Sequence, residues 1–124
     1  DPAAGTGGFL IAADHAMRKA TDDYFELSPK AQAFQLREAF RAVENVPDTF
    51  RLLLMNLHLH KIDPDHVDLA DTLSPAGATP RFKQADLVLT NPPFGPAGGP
   101  PTRDDLTITD RVSSYQLPFV EHVI

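Results

Sequence analysis

Short apolar runs alternate in this chain with longer helix-patterned stretches, and the runs stop at polar residues. Phe40 to Glu44, Val67 to Asp71 and Asp86 to Thr90 read as strands from their brevity and β-branched or alternating content. Phe9 to Ala20, Pro29 to Arg37 after the Ser28-Pro29 cap, and an apolar stretch starting at Pro47-Asp48 and reaching about His60 read as helices. The last of these is apolar enough to be expected buried. Leu117 to Ile124 reads as the opening of a further helix, and 96–101 and 106–113 as loops. Helices interleaved with strands imply an α/β doubly wound sheet, whose ligands gather outside the carboxyl ends of the strands. Asp1, Glu44, Asp71 and Asn91 all fall at such ends.

The first of these ends opens a glycine loop, Asp1-Pro2-Ala3-Ala4-Gly5-Thr6-Gly7-Gly8-Phe9. Gly5 and Gly7 can take positive φ and let a cofactor approach the backbone, and the helix start behind them offers free N–H groups. The loop is not a dinucleotide fingerprint, because Leu10 stands three after Gly7, and it lacks the lysine of a phosphate loop. It suits a cofactor with a zwitterionic amino-acid end, with Asp1 near the ammonium; the alternative is an ordinary tight turn. Glu44 can accept both hydrogen bonds of a ribose diol, or be a solvated surface residue. Asp71 can accept from an adenine amino group, or cap a turn.

The strand end at Asn91-Pro92-Pro93-Phe94 is more specific. Two prolines remove two N–H donors and fix φ, so the turn is stiff and its carbonyls point outward. The Asn91 carboxamide oxygen and a proline-freed carbonyl can accept from a planar amino group, and the Phe94 ring can stack on the plane bearing it. The histidines carry less. His58 and His60 sit at i, i+2 and share no helix face, and Asp63-Pro64-Asp65-His66 reads as a solvated loop. Asn56, inside the apolar helix, reads as a core hydrogen-bonding residue.

At 124 residues the chain is one domain at most, and 42% hydrophobic content is enough for a core. Its 12 prolines imply many fixed turns. The absence of cysteine excludes disulfides, thiolate metal sites and a cysteine nucleophile. No apolar run is long enough for a membrane span and no signal peptide opens the chain, so a cytoplasmic location is the default. A net charge of −6 argues against a free-standing DNA binder, while leaving room for a catalytic segment whose grip on DNA comes from elsewhere. Asp1 opens a loop that should follow a strand, so the sequence reads as a piece of a larger protein.

Taken together, the motifs resemble those of N6-adenine DNA methyltransferases. Asp1 to Phe9 resembles their S-adenosylmethionine motif, and Asn91-Pro92-Pro93-Phe94 their catalytic motif. The likeness is greatest to the modification subunit of type I restriction–modification systems. There a Glu is followed by Pro three residues on and by an apolar helix ending in Met-Asn-Leu, as in Glu44, Pro47 and Met55-Asn56-Leu57. Asp71-Thr72-Leu73 is similar to the family's third acidic motif, and Leu117-Pro118-Phe119-Val120-Glu121-His122 to the start of its next helix. Ala4 stands where these proteins often carry Cys. The resemblance covers almost the whole chain and implies a partial, Rossmann-like methyltransferase catalytic domain over 1–124.

Several roles follow from the resemblance. S-adenosylmethionine is held by Asp1, Ala3, Gly5, Thr6, Gly7, Gly8, Phe9, Glu44, Asp71 and Asn91, and an adenine flipped out of DNA is methylated at N6. Asn91, Pro92, Pro93 and Phe94 form the catalytic turn, no metal takes part, and the partners are DNA with specificity and restriction subunits. The isolated segment is expected to be inactive. Two rival readings are a protein-glutamine methyltransferase, which needs the same grip on an amide NH2, and a non-catalytic scaffold in a defence complex.

Overall fold

The structure, a computed structural model, describes residues 1–78 and 85–124. Its described elements run in the order α1 (Gly8–Ala20), α2 (Pro29–Arg37), β1 (Ala42–Glu44), α3 (Pro47–Leu59), β2 (Val67–Leu69), a 3-10 turn (Pro75–Ala78) and α4 (Gln116–Val123). β1 and β2 pair in parallel, with Ala42 opposite Val67 and Glu44 opposite Leu69. A parallel pair needs a crossover, and α3 supplies it. The chain is therefore α/β, as expected.

The first helix starts where glycine permits it. Gly7 caps α1 with φ 88, and a Cβ there would lie 2.7 Å from Leu53 Cδ1, so the bare backbone lets α1 settle directly on α3. Ser28 caps α2 by accepting the Ala31 N–H, with Pro29 at the first helical position. Leu53 and Leu57 are fully buried and pack with Ala4, Leu10, Ala42, Ile62 and Val67 in the main core. Burial contributes about 1.5–3 kcal/mol for each such leucine. A second, smaller cluster joins Leu73, Leu106 and Phe119, with Ala3 and Tyr115 against it. Ala3 and Ala4 thus hold the glycine loop to both clusters.

Between α1 and α2 the backbone takes an uncommon path. Asp22, Asp23 and Tyr24 are consecutive left-handed residues, with φ of 48, 56 and 71. Each costs on the order of 1–2 kcal/mol outside glycine. A polar knot holds them. The buried Tyr24 hydroxyl donates to Asp14 at 2.6 Å, Arg18 bridges Asp14 at 2.7 Å and Asp23 at 2.6 Å, and its guanidinium lies 4.7 Å over the Tyr24 ring.

Two expectations need correction. The apolar helix α3 is not buried all round, because Leu52, Met55 and Leu59 form an exposed stripe on the face away from the core. The segment 86–90 lies outside any ladder, and Leu87 and Leu89 are exposed. A strand forms only where a neighbour offers an open edge. One edge of β1 carries β2, and the other is taken by the first residues, with Val43 N–H donating to Asp1 O at 3.0 Å and Ala4 N–H to Val43 O at 2.9 Å.

Candidate active site

The carboxyl ends of β1 and β2 open onto a cavity of about 280 Å3. Its walls include Ala3 and Gly5 of the glycine loop, Glu44 at the end of β1, Asp71 after β2, and Asn91 with Pro93 of the turn. The parallel pair brings Glu44 and Asp71 to one side, and the glycine loop and the Asn91 turn, both outside that pair, meet them there.

Glu44 is buried, and both of its carboxylate oxygens are engaged. Its Oε2 accepts the Gly5 N–H at 2.9 Å and its Oε1 the Val46 N–H at 2.8 Å. Each carboxylate oxygen keeps a further lone pair, so the group can still accept from a ligand. Asp71 is exposed at the rim and closes its own turn, with Oδ1 accepting the Leu73 N–H at 2.9 Å. Asp71 therefore caps a turn and also lines the cavity. Asn91 is exposed and lines the cavity with Pro93, while Phe94, 73% exposed, stands outside the lining.

Other sequence-singled residues stand apart from this cavity. Asp1 accepts the Ala3 N–H at 3.0 Å and lines a neighbouring cavity with Arg41 and Val88, while its second oxygen is buried without a partner. Thr6, Gly7, Gly8 and Phe9, the end of the loop and the start of α1, do not line the cavity. Thr6 is fixed through its carbonyl, which accepts from the Asn56 amide at 3.0 Å, so the polar residue in the apolar helix braces the glycine loop. Asp63 closes a turn by accepting the Asp65 N–H at 3.0 Å, in keeping with a solvated loop. Among the described residues no cluster of His, Asp or Glu suits a metal ion, and no helix is long and apolar enough to cross a membrane.

Sequence reasoning passed over part of the cavity wall. Val46, Thr72, Tyr115 and Phe119 also line it. Thr72 is 3% exposed and its hydroxyl donates to the Pro2 carbonyl, joining the end of β2 to the glycine loop. Phe119 is placed by α4, and α4 is pinned by Glu121. That carboxylate accepts from the backbone N–H groups of Ile108 and Thr109 at 2.9 and 2.8 Å, and from the Thr109 hydroxyl. Partial desolvation pushes the Glu121 carboxyl up, but these hydrogen bonds outweigh it and hold it below its ordinary value. The Pro118-Phe119 pair opening α4 was the one available signal for Phe119.

Comparison with known proteins follows the same lines. The N-6 DNA Methylase family model matches residues 1–124. The chain is 46% identical to the StySPI type I restriction enzyme methylase subunit of Salmonella potsdam, and 43% identical to the EcoKI methylase subunit of Escherichia coli K12. Both alignments cover all of this chain and 24% of the relative, so the chain spans about a quarter of the length of these curated relatives. The crystal structure of the EcoKI M protein superposes with a TM-score of 0.83 at 42% identity, over 99% of this chain and 26% of that one. The protein-glutamine and scaffold readings find no support in these matches. The chain belongs to the N-6 DNA methylase family.

Proposed function

We propose that this chain forms part of a DNA methyltransferase that moves a methyl group from S-adenosylmethionine to adenine N6, within the modification subunit of a type I restriction–modification system. The observation that carries the reading is the convergence of Gly5, Glu44, Asp71 and Asn91 on one cavity. The names of the relatives, methylase subunits of type I restriction enzymes, support partner subunits for DNA specificity and restriction. The order of helices and strands supports a doubly wound, Rossmann-like sheet in the whole protein.

The donor and acceptor chemistry of the walls fits the cofactor. Glu44 retains lone pairs for a ribose diol, Asp71 retains one oxygen for the adenine amino group, and Val46 and Phe119 give apolar surface for the base. When bound, S-adenosylmethionine supplies an electrophilic methyl group. The chain's own part is positioning. The Asn91 side-chain oxygen and the Pro92 carbonyl accept the two N6 hydrogens of the target adenine, which draws the nitrogen toward sp3 character and aims its lone pair. Phe94 stacks on the base, which has to leave the duplex for its amino group to be reached. No covalent enzyme intermediate is needed, in keeping with a chain that has no cysteine.

The test is methylation by the whole modification subunit with its specificity subunit, using labelled S-adenosylmethionine and DNA, followed by nucleoside analysis. N6-methyladenine in the DNA is expected. Label found only in protein, or only at cytosine, refutes the proposal.

A further inference from the structure

Among the described residues Arg103 is the only buried arginine, and it sits in the proline- and glycine-rich loop behind the Asn-Pro-Pro-Phe turn. Its side chain is 2% exposed and its guanidinium is engaged on three sides. Nε and Nη2 fork onto the two Asp105 oxygens at 2.9 and 2.7 Å. Nη1 donates to the Thr72 carbonyl at 3.0 Å and to His122 Nδ1 at 2.7 Å. Arginine has donors only, so Nδ1 of His122 carries the lone pair. The neighbouring Thr102 N–H donates to the Leu73 carbonyl at 3.0 Å.

The Thr72 peptide is pressed from a second direction. A Cβ on Gly77 would lie 2.0 Å from the Thr72 carbonyl oxygen, so the 3-10 turn rests its backbone directly on that group. Thr72 and Asp71 form one wall of the cavity that Asn91 also lines. The loop bearing Arg103 leaves that Asn91 turn at Gly95 and returns at Tyr115, whose N–H donates to the Gly95 carbonyl at 3.2 Å. Arg103 therefore ties the wall after β2 to the loop that follows the catalytic turn, and through His122 to α4.

The geometry points to Arg103 as a positioning residue that, with Gly77, sets the Asp71-Thr72 wall at the spacing from the Asn91 turn that the cofactor needs. The inference rests on reading the cavity as the S-adenosylmethionine site. A buried charge must be fully paired to be tolerated, and here the pairing fixes three elements in one register. A lysine carries the same charge but not the fork, and cannot serve Asp105, Thr72 and His122 together.

The experiment titrates the whole modification subunit with S-adenosylhomocysteine by calorimetry, and measures KM for S-adenosylmethionine and for DNA. Arg103→Gln is expected to raise the Kd about tenfold or more, the size of one lost charge-assisted hydrogen bond, and Arg103→Lys to recover only part. KM for S-adenosylmethionine should rise while KM for DNA stays within about twofold. Gly77→Ala should weaken binding likewise, and the double variant should lose less than the product of the single losses, because both act on one peptide. Should Arg103→Gln fail to fold, Asp105→Asn, which weakens the fork at a half-exposed position, decides the matter by the same Kd. Folded variants with unchanged Kd, or losses that multiply, overturn the inference. Failure of the unaltered subunit to bind S-adenosylhomocysteine overturns the cofactor reading itself.

Discussion

Glu44 accepts the Gly5 N–H at 2.9 Å across 39 residues of sequence, so the carboxylate that ends β1 also shapes the glycine loop. One side chain thus sets the floor of the cavity and offers its remaining lone pairs to whatever enters. Replacing it with alanine leaves two N–H groups unanswered. Glu44→Ala should lower stability by about 1–3 kcal/mol and weaken S-adenosylmethionine binding at least about tenfold. Calorimetry and thermal unfolding of the modification subunit measure both, and unchanged affinity counts against the ribose assignment.

Asn91 lies exposed at the rim, so the fold does not depend on it. Asn91→Ala should reduce methyl transfer by about 10²–10³ or more, with cofactor affinity within about twofold and the melting temperature unmoved. A large loss of cofactor binding would show that Asn91 holds the cofactor rather than the base.

Gly7 combines a φ of 88 with the contact to Leu53. Gly7→Ala adds left-handed strain of about 1–2 kcal/mol to a steric overlap in the main core. Thermal unfolding should show a clear drop in stability, and Leu53→Val beside it should recover part. No drop would mean that α1 can shift away from α3 freely.

The depressed carboxyl of Glu121 gives the α4 anchor a definite pH dependence. The charged form is the one favoured by folding, so its contribution is present above the ordinary carboxylate range and is lost as pH falls through the lowered value. The protection factors of the Ile108 and Thr109 amides, taken against intrinsic exchange at each pH, should stay constant from neutral pH downward and fall only at more acid pH than an unperturbed glutamate would dictate. Glu121→Gln should leave these amides less protected at neutral pH, with the difference vanishing once the glutamate is protonated.

At the other extreme, burial first and the bond to Asp14 second push the Tyr24 hydroxyl up to about 12. A raised value means that the stabilisation is complete below about pH 10 and fades as pH rises toward 12. Tyr24→Phe should cost about 1–3 kcal/mol at neutral pH and flatten this alkaline loss, as measured by denaturant unfolding at stepped pH.

Much of the arrangement was legible in the residues. The glycine loop and the Ser28-Pro29 cap are local signals with local causes, and the structure follows them closely. Two strand ends were legible too, because Glu44 and Asp71 each close an apolar run, whereas Asn91 follows a run that forms no strand. What stayed hidden depends on contacts across the chain. The run at 86–90 has the composition of a strand, but composition does not tell whether an edge of β1 is open. Asp1, expected near the cofactor's ammonium, lines the neighbouring recess. Arg103 carried no signal, since a buried arginine in a loop is explained only by Thr72, Asp105 and His122, which come from elsewhere in the fold.

The left-handed turn at Asp22 to Tyr24 makes the length of α1 a fixed quantity. Asp14 and Arg18 meet Tyr24 only because the helix presents them on the side to which the chain folds back. Adding or removing one residue between Asp14 and Arg18 turns Asp14 by about 100° relative to Arg18 and breaks up the cluster with Tyr24. The open Gly98-Gly99 turn, where an added Cβ meets nothing, has no such register to keep. Insertions and deletions should therefore survive in the one place and fail in the other, although both look like ordinary surface chain.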